Sequence, residues 1–257
     1  MSVFKIVFSP TGGTSKVADI LVNEFRIFFN EPIITVDLLN ADFVFSSVKI
    51  QSNDICVIAA PVFGGRIVSM ATEHLSRISG NGAKAILVAV YGNREFEDAL
   101  VELQDVSAAA GFQPFAGISA IAEHSVLRQF GAGRPDEKDA AELKSFAKQI
   151  RNHLVHDITS DLVLPGNRPY KDYVILNTKP IAGELCEKCG HCAVVCPTHA
   201  IPKDFPDQTY NDLCISCMRC ATFCPKKARY IRPNVAAMLN EKLSKVASVR
   251  KPNKLYI

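Results

Sequence analysis

Apolar and polar positions alternate in blocks over the first 155 residues. Val3–Phe8 and Pro32–Leu38 are strand-like apolar runs, separated by a helical pattern over Ser15–Phe29. Asp54–Ala60 is an almost unbroken apolar run, as expected for a strand covered on both faces. Helix is predicted over Ile67–Ile78, strand over Lys84–Tyr91, helix over Glu95–Ala110 and strand over Phe115–Ala122. A long amphipathic helix over Asp136–Val155 closes the set, with Pro135 and Asp136 where a helix start is expected. Five strands alternating with helices predict an α/β fold, a five-stranded parallel sheet with helices on both faces. Such sheets bind ligands beyond the carboxyl ends of their strands, where strand order reverses.

After residue 156 the pattern breaks. Asp157–Gly183 holds Pro165-Gly166, Arg168-Pro169 and Lys179-Pro180, with one short apolar run at Tyr173–Leu176, and reads as an ordered linker. Ile201–Asp212 is expected to be a small hairpin or loop, and Val235–Val246 a helix. No apolar run approaches the ~20 residues of a membrane-spanning helix. The opening Met1–Phe8 reads as a first buried strand and not as a signal sequence.

Of nine cysteines, eight fall in two runs. The first is Cys186, Cys189, Cys192 and Cys196-Pro197, and the second Cys214, Cys217, Cys220 and Cys224-Pro225. Each is the C-x2-C-x2-C-x3-C-P spacing of bacterial iron–sulfur proteins. Zinc is usually held by pairs of C-x2-C ligands, so a third cysteine and Cys-Pro are surplus to it. Disulfides would imply an exported chain. The two runs resemble the two-cluster ferredoxin family over about a fifth of the chain. That resemblance implies one [4Fe-4S] cluster on Cys186, Cys189, Cys192 and Cys224, and a second on Cys214, Cys217, Cys220 and Cys196. Cys56, inside an apolar run, is expected to be an inert buried thiol.

The strand ends carry the other candidate chemistry. After the first comes Ser9-Pro-Thr11-Gly12-Gly13-Thr14-Ser15, a hydroxyl- and glycine-rich turn into a helix N-terminus, able to cradle a phosphate. Alone, Thr14 or Ser15 could simply be an N-cap. Pro61-Val62-Phe63-Gly64-Gly65 follows the third strand, with two glycines that let backbone approach a planar ring. Tyr91-Gly92-Asn93-Arg94 and Phe96 follow the fourth. These three loops resemble those of the flavodoxin family, which wrap FMN. The resemblance implies phosphate contacts from Ser9, Thr11, Gly12, Gly13 and Thr14. It implies ring contacts from Phe63, Gly64 and Tyr91 to Arg94, with Pro61, Val62, Gly65 and Phe96 also among the cofactor-binding residues. The chain has no Trp, so Phe63, Tyr91 and Phe96 are all open as the stacking aromatic. No catalytic residue stands out. Glu123–Arg134, after the fifth strand, suits a loop over the flavin, but the sequence favours a polar connector. His74, His153 and His156 read as surface residues.

The whole chain resembles a family of flavodoxin-like domains fused to a two-cluster ferredoxin, found mostly in anaerobic bacteria and archaea. Arg134–Lys138 and Tyr91–Glu95 are similar to that family too. The expected organisation is a flavodoxin-like FMN domain at 1–156, a linker at 157–180 and a small α+β 2[4Fe-4S] ferredoxin domain at 181–233. A basic C-terminal helix and tail follow at 234–257. Two clusters and one FMN imply cytoplasmic electron transfer serving a redox partner protein, with an FMN-dependent reductase acting on a small organic substrate as the alternative. A soluble ferredoxin or other low-potential donor is the expected partner; the acceptor is unassigned and a homodimer is left open. The formal charge of +3 gives no case for nucleic acid. Each oxidised cluster with its thiolates carries about −2 and a flavin phosphate about −2 more, leaving a net of about −3. The nine basic residues after Pro225 read as a solvated helix face, with a docking patch for an acidic donor as the sharper alternative.

Overall fold

The structure is a computed structural model that describes residues 1–156, 161–173 and 178–257. In chain order, β1 (Val3–Val7), α1 (Gly13–Phe29), β2 (Ile33–Asp37) and β3 (Ile55–Phe63) come first, then a short β4 (Arg66–Ile67) and α2 (Ser69–Leu75). β5 (Lys84–Tyr91), α3 (Ala99–Ala109), β6 (Gln113–Ile121) and α4 (Glu137–Val155) complete the first unit. Five strands are parallel, in the order β2-β1-β3-β5-β6. This is the doubly wound order of flavodoxin-like sheets, with its switch point between β1 and β3.

The unbroken apolar runs exist because both faces of the sheet are covered. Phe4, Ile6, Ile58, Leu87 and Ala89 pack on one face with Leu75, Leu100 and Leu103 of α2 and α3. Their neighbours Val3, Val7, Val57, Val88 and Val90 pack on the other with Leu21, Phe25, Leu143 and Ile150 of α1 and α4. Period-two alternation therefore builds two cores from one strand set. Asp136 and Asp139 form a reciprocal capping box at the start of α4. Cys56 lies wholly in the first core, and burial pushes its thiol far up, out of reach of nucleophilic use.

Several elements depart from the sequence expectation. The helix expected over Ile67–Ile78 shrinks to Ser69–Leu75 because Arg66–Ile67 turns back on Phe63–Val62 as β4. Gly64 and Gly65, at φ 63° and 93°, form the two-residue turn of this hairpin, which requires left-handed backbone at both positions. Gly65→Ala would place a Cβ 1.8 Å from Glu97 Oε2 as well as straining the turn. A loss of about 2 kcal/mol in urea unfolding is expected. His74 is buried, not at the surface; its Nδ1 lies 2.8 Å from the Leu38 carbonyl.

Beyond α4, the described linker lies along α3. Asp98 accepts hydrogen bonds from the backbone N–H of Asn167 and Lys171, and Leu164 enters the first core. Of the apolar run expected at Tyr173–Leu176, all but Tyr173 falls outside the described residues. β7 (Ile181–Ala182) pairs antiparallel with β8 (Arg229–Tyr230). Between them lie two short helices, α5 (His191–Val194) and α6 (Arg219–Thr222), each holding the third cysteine of a run. The buried Arg229 donates to the carbonyls of Pro206 and Gln208, fastening the 201–212 loop. α7 (Pro233–Ala247) packs Leu243 and Ala247 on Leu127 and Phe130. The chain then adds β9 (Lys254–Tyr256) antiparallel to the β6 edge, a sixth strand in line with the expected five.

Candidate functional site

Four cysteines frame each of two separate cavities. Cys186, Cys189, Cys192 and Cys224 line one; Cys196, Cys214, Cys217 and Cys220 line the other. Each cavity thus takes three cysteines from one run and the fourth from the other. The local reason is the left-handed residue before each short helix, Gly190 and Met218, which curls the run around the cavity. Among the described residues no three His, Cys, Asp or Glu side chains converge tightly enough for a single metal ion. The sulfurs stand around a space, the arrangement a four-iron cubane requires. Burial pushes the Cys217 thiol up to about 12 and the Cys220 thiol to about 11, so thiolates there need iron to hold them.

The second cavity lies against the sheet. Ile215 packs on the first core, and Arg219 Nη1 donates to the carbonyl of Pro10, 3.2 Å away, in the loop after β1. Arg219 also holds the Val195 carbonyl at 3.0 Å, so one guanidinium ties both cysteine runs to that loop.

At the carboxyl ends of the strands the loops converge on a small recess continuous in its walls with a larger chamber. Thr11, Gly13 and Thr14 line the recess with Pro61. Val62, Phe63, Tyr91, Gly92, His124 and Ser125 line both spaces. The chamber, about 450 Å³, is bounded on its far side by Ser216 of the second cysteine run and by Leu239, Lys242, Leu243 and Val246 of α7. Gly64 and Arg94 also line it.

The family model described as "4Fe-4S binding domain" matches residues 208–230, which contain the whole second cysteine run. The chain joins a flavodoxin-like fold to a 4Fe-4S binding domain. The first run repeats the matched spacing outside the matched residues. Solved structures similar to the chain include a Streptococcus pneumonia TIGR4 flavodoxin, at 20% identity and TM-score 0.42, covering 59% of this chain and 99% of that one. Megasphaera elsdenii flavodoxin is 17% identical with TM-score 0.41, over 57% and 98%. The rubredoxin oxygen:oxidoreductase of the anaerobe Desulfovibrio gigas is 16% identical with TM-score 0.44, over 62% of this chain and 37% of that one. No curated protein matches the chain in sequence.

Within the flavodoxin-like unit, not every residue expected at a flavin reaches the recess or the chamber. Ser9 is buried, and its Oγ accepts from Ser15 N–H at 2.9 Å, bracing the turn. Gly12, at φ 93°, is the left-handed N-cap of α1. Gly65 serves the hairpin. Phe96 packs into the first core, its ring 5.5 Å from that of Tyr91, so it backs the aromatic wall and leaves Phe63 and Tyr91 as the facing rings. Asn93 turns away: its Nδ2 donates to the carbonyls of Ala247 and Val249, and its Oδ1 accepts from Lys251 N–H. It anchors the end of α7. Arg94 and Lys171 both pair with Glu97. Burial opposes ionisation of Glu97, but these two hydrogen-bonded cations outweigh it and hold the carboxyl below its usual range.

Glu123–Arg134 is more than a polar connector. His124 lies on both walls, and its ring packs so closely on Gly92 that a Cβ there would meet Cδ2 at 2.5 Å. Its Nδ1 accepts from the N–H groups of Val126 and Leu127 at 3.2 and 3.1 Å. In the neutral ring the proton must therefore sit on Nε2. Burial first, and the Arg94 charge second, lower the His124 pKa to about 4. The unfolded ring has a pKa of about 6.5, so the unfolded state binds the extra proton between these values. Stability carried by the neutral ring is complete above about pH 6.5 and is lost as pH falls towards 4, at most about 3 kcal/mol. The acid-side fall in urea midpoint should be shallower in His124→Asn than in the unaltered chain; equal slopes would refute the assignment.

Proposed function

We propose that the chain moves electrons between two [4Fe-4S] clusters and a bound FMN. The observation that carries this reading is the position of the loop Cys214–Cys220. It lines one thiol cavity, supplies Ser216 to the chamber and fastens Arg219 to the loop after β1. Thr11, Gly13 and Thr14 would hold the FMN phosphate at the start of α1, where free N–H groups and the helix dipole favour an anion. Phe63, Tyr91 and Gly92 would flank the ring. Bound FMN supplies a carrier that exchanges electrons singly or in pairs, whereas each cluster exchanges one at a time. The cluster on Cys196, Cys214, Cys217 and Cys220 stands beside the chamber. The other would be held where Cys189 and the neighbouring Leu185 are exposed, and would be the entry point for a soluble low-potential donor such as a ferredoxin.

A second reading has its own observation. The chamber is walled by the 123–126 loop and by α7, whereas a carrier that docks its flavin edge on a protein acceptor needs that edge open. The walls favour a small organic acceptor, hence a reductase.

The test is anaerobic purification with iron, sulfide and FMN quantified, then stepwise reduction followed by visible and EPR spectra. About eight irons and one FMN are expected, with cluster signals that appear on reduction and disappear again as the flavin reoxidises. Iron without FMN, even after excess FMN is added, sinks the flavin half. About four irons per chain sinks the second cluster.

A further inference from the structure

We propose that the chamber binds, alongside the flavin, a small organic carboxylate with an apolar body, held by the Nε2–H of His124 and the ammonium of Lys242. This rests on the FMN reading above. At about 450 Å³ the chamber has the size of a pocket for a whole small ligand, and one flat ring against Phe63 and Tyr91 leaves its α7 side to a second occupant. That side is apolar: Leu239, Leu243 and Val246, spaced four and three residues apart on one face of α7, line it together with Val126.

The polar groups on the walls select the headgroup. Arg94 and Lys171 are both engaged by Glu97, and Glu95 faces Lys251. Lys242 lines the chamber and enters no ion pair among the described residues. Lys242 is thus the chamber cation with no carboxylate against it, and an anionic ligand would supply one. His124 adds a directed donor: its Nδ1 is taken by two backbone N–H groups, and its Nε2–H has no partner among the described residues. A carboxylate satisfies both the fixed N–H and the ammonium, by charge-assisted hydrogen bonds of the stronger class.

The experiment is equilibrium dialysis of radiolabelled benzoate against the anaerobically purified full chain, with FMN quantified in the same sample. One saturable benzoate site per chain is expected, and benzyl alcohol should bind at least about tenfold more weakly. His124→Asn keeps an acceptor where Nδ1 stood and withdraws the Nε2–H, its own amide N–H falling at the old Cδ2 position against Gly92; Lys242→Gln removes the charge from an exposed helix position. Each should weaken benzoate about tenfold with FMN content unchanged, and Lys242→Arg should restore most of the affinity. An FMN-replete chain that ignores benzoate, or binds it equally well in both variants, overturns the chamber proposal alone. A chain that takes up no FMN overturns the flavin reading and this one with it.

Discussion

Asp139→Asn is expected to cost about 4 kcal/mol, lowering the thermal midpoint by about 10 °C. Asp139 is fully buried at the start of α4, and the equally buried Arg134 grips it through Nε at 2.9 Å and Nη2. The amide variant leaves the guanidinium in the protein interior without its counter-charge, the costly way to break a buried pair. The damage should spread, because the same carboxylate accepts from Arg250 and from Asn253 Nδ2. Arg134 in turn donates to the Lys251 carbonyl. These contacts hold the segment between α7 and β9 on the sheet, so Asp139 also sets where the chamber's α7 wall stands. Weaker FMN retention should accompany the lower midpoint, and a midpoint shift under about 2 °C would mean that water reaches Arg134 and compensates it.

Cys196→Ala should remove the cluster beside the chamber while leaving the other in place. The three cysteines before Cys196 in sequence line the opposite cavity, and its own cavity is shared with Cys214, Cys217 and Cys220. The variant should therefore resemble Cys217→Ala, not Cys189→Ala, in its EPR spectrum, and should hold about four irons per chain. Reduction of the bound FMN by a low-potential donor should slow by orders of magnitude in it. Cys224→Ala is the complementary case, grouping with Cys189→Ala. If Cys196→Ala instead paired with Cys189→Ala, each run would hold its own cluster and the crossed arrangement would be wrong.

Much of this architecture was legible because its constraints are local. A strand buried on both faces must be apolar throughout, so β3 and β5 announce themselves and with them the parallel sheet. Cluster ligands are spaced by the reach of a curled backbone, which confines them to a few adjacent residues. Glycines at strand ends are local too, but their reasons differ: Gly65 turns a hairpin, whereas Gly92 makes room for an imidazole from another loop. What stayed hidden depends on segments distant in sequence. Asn93 reads as a donor for a ligand until residues 247–251 return to occupy its amide. His74 reads as surface because nothing near it in sequence shows the Leu38 carbonyl waiting for it. Lys254–Tyr256 is too short to register as a strand, and the 123–126 loop has no periodicity to mark it as a wall.

The antiparallel strand on β6 also has a bearing on how the chain is made. Residues 254–256 pair with 117–119, so all eight cysteines of the two runs are synthesised between the two halves of this pairing. Until then β6 offers an unpaired edge of the kind that recruits other strands. If the cysteine-rich segment settles slowly without iron and sulfide, the strand that shields that edge arrives late. Insoluble product in iron-limited cells would therefore arise from an exposed sheet margin far, in sequence, from any cysteine.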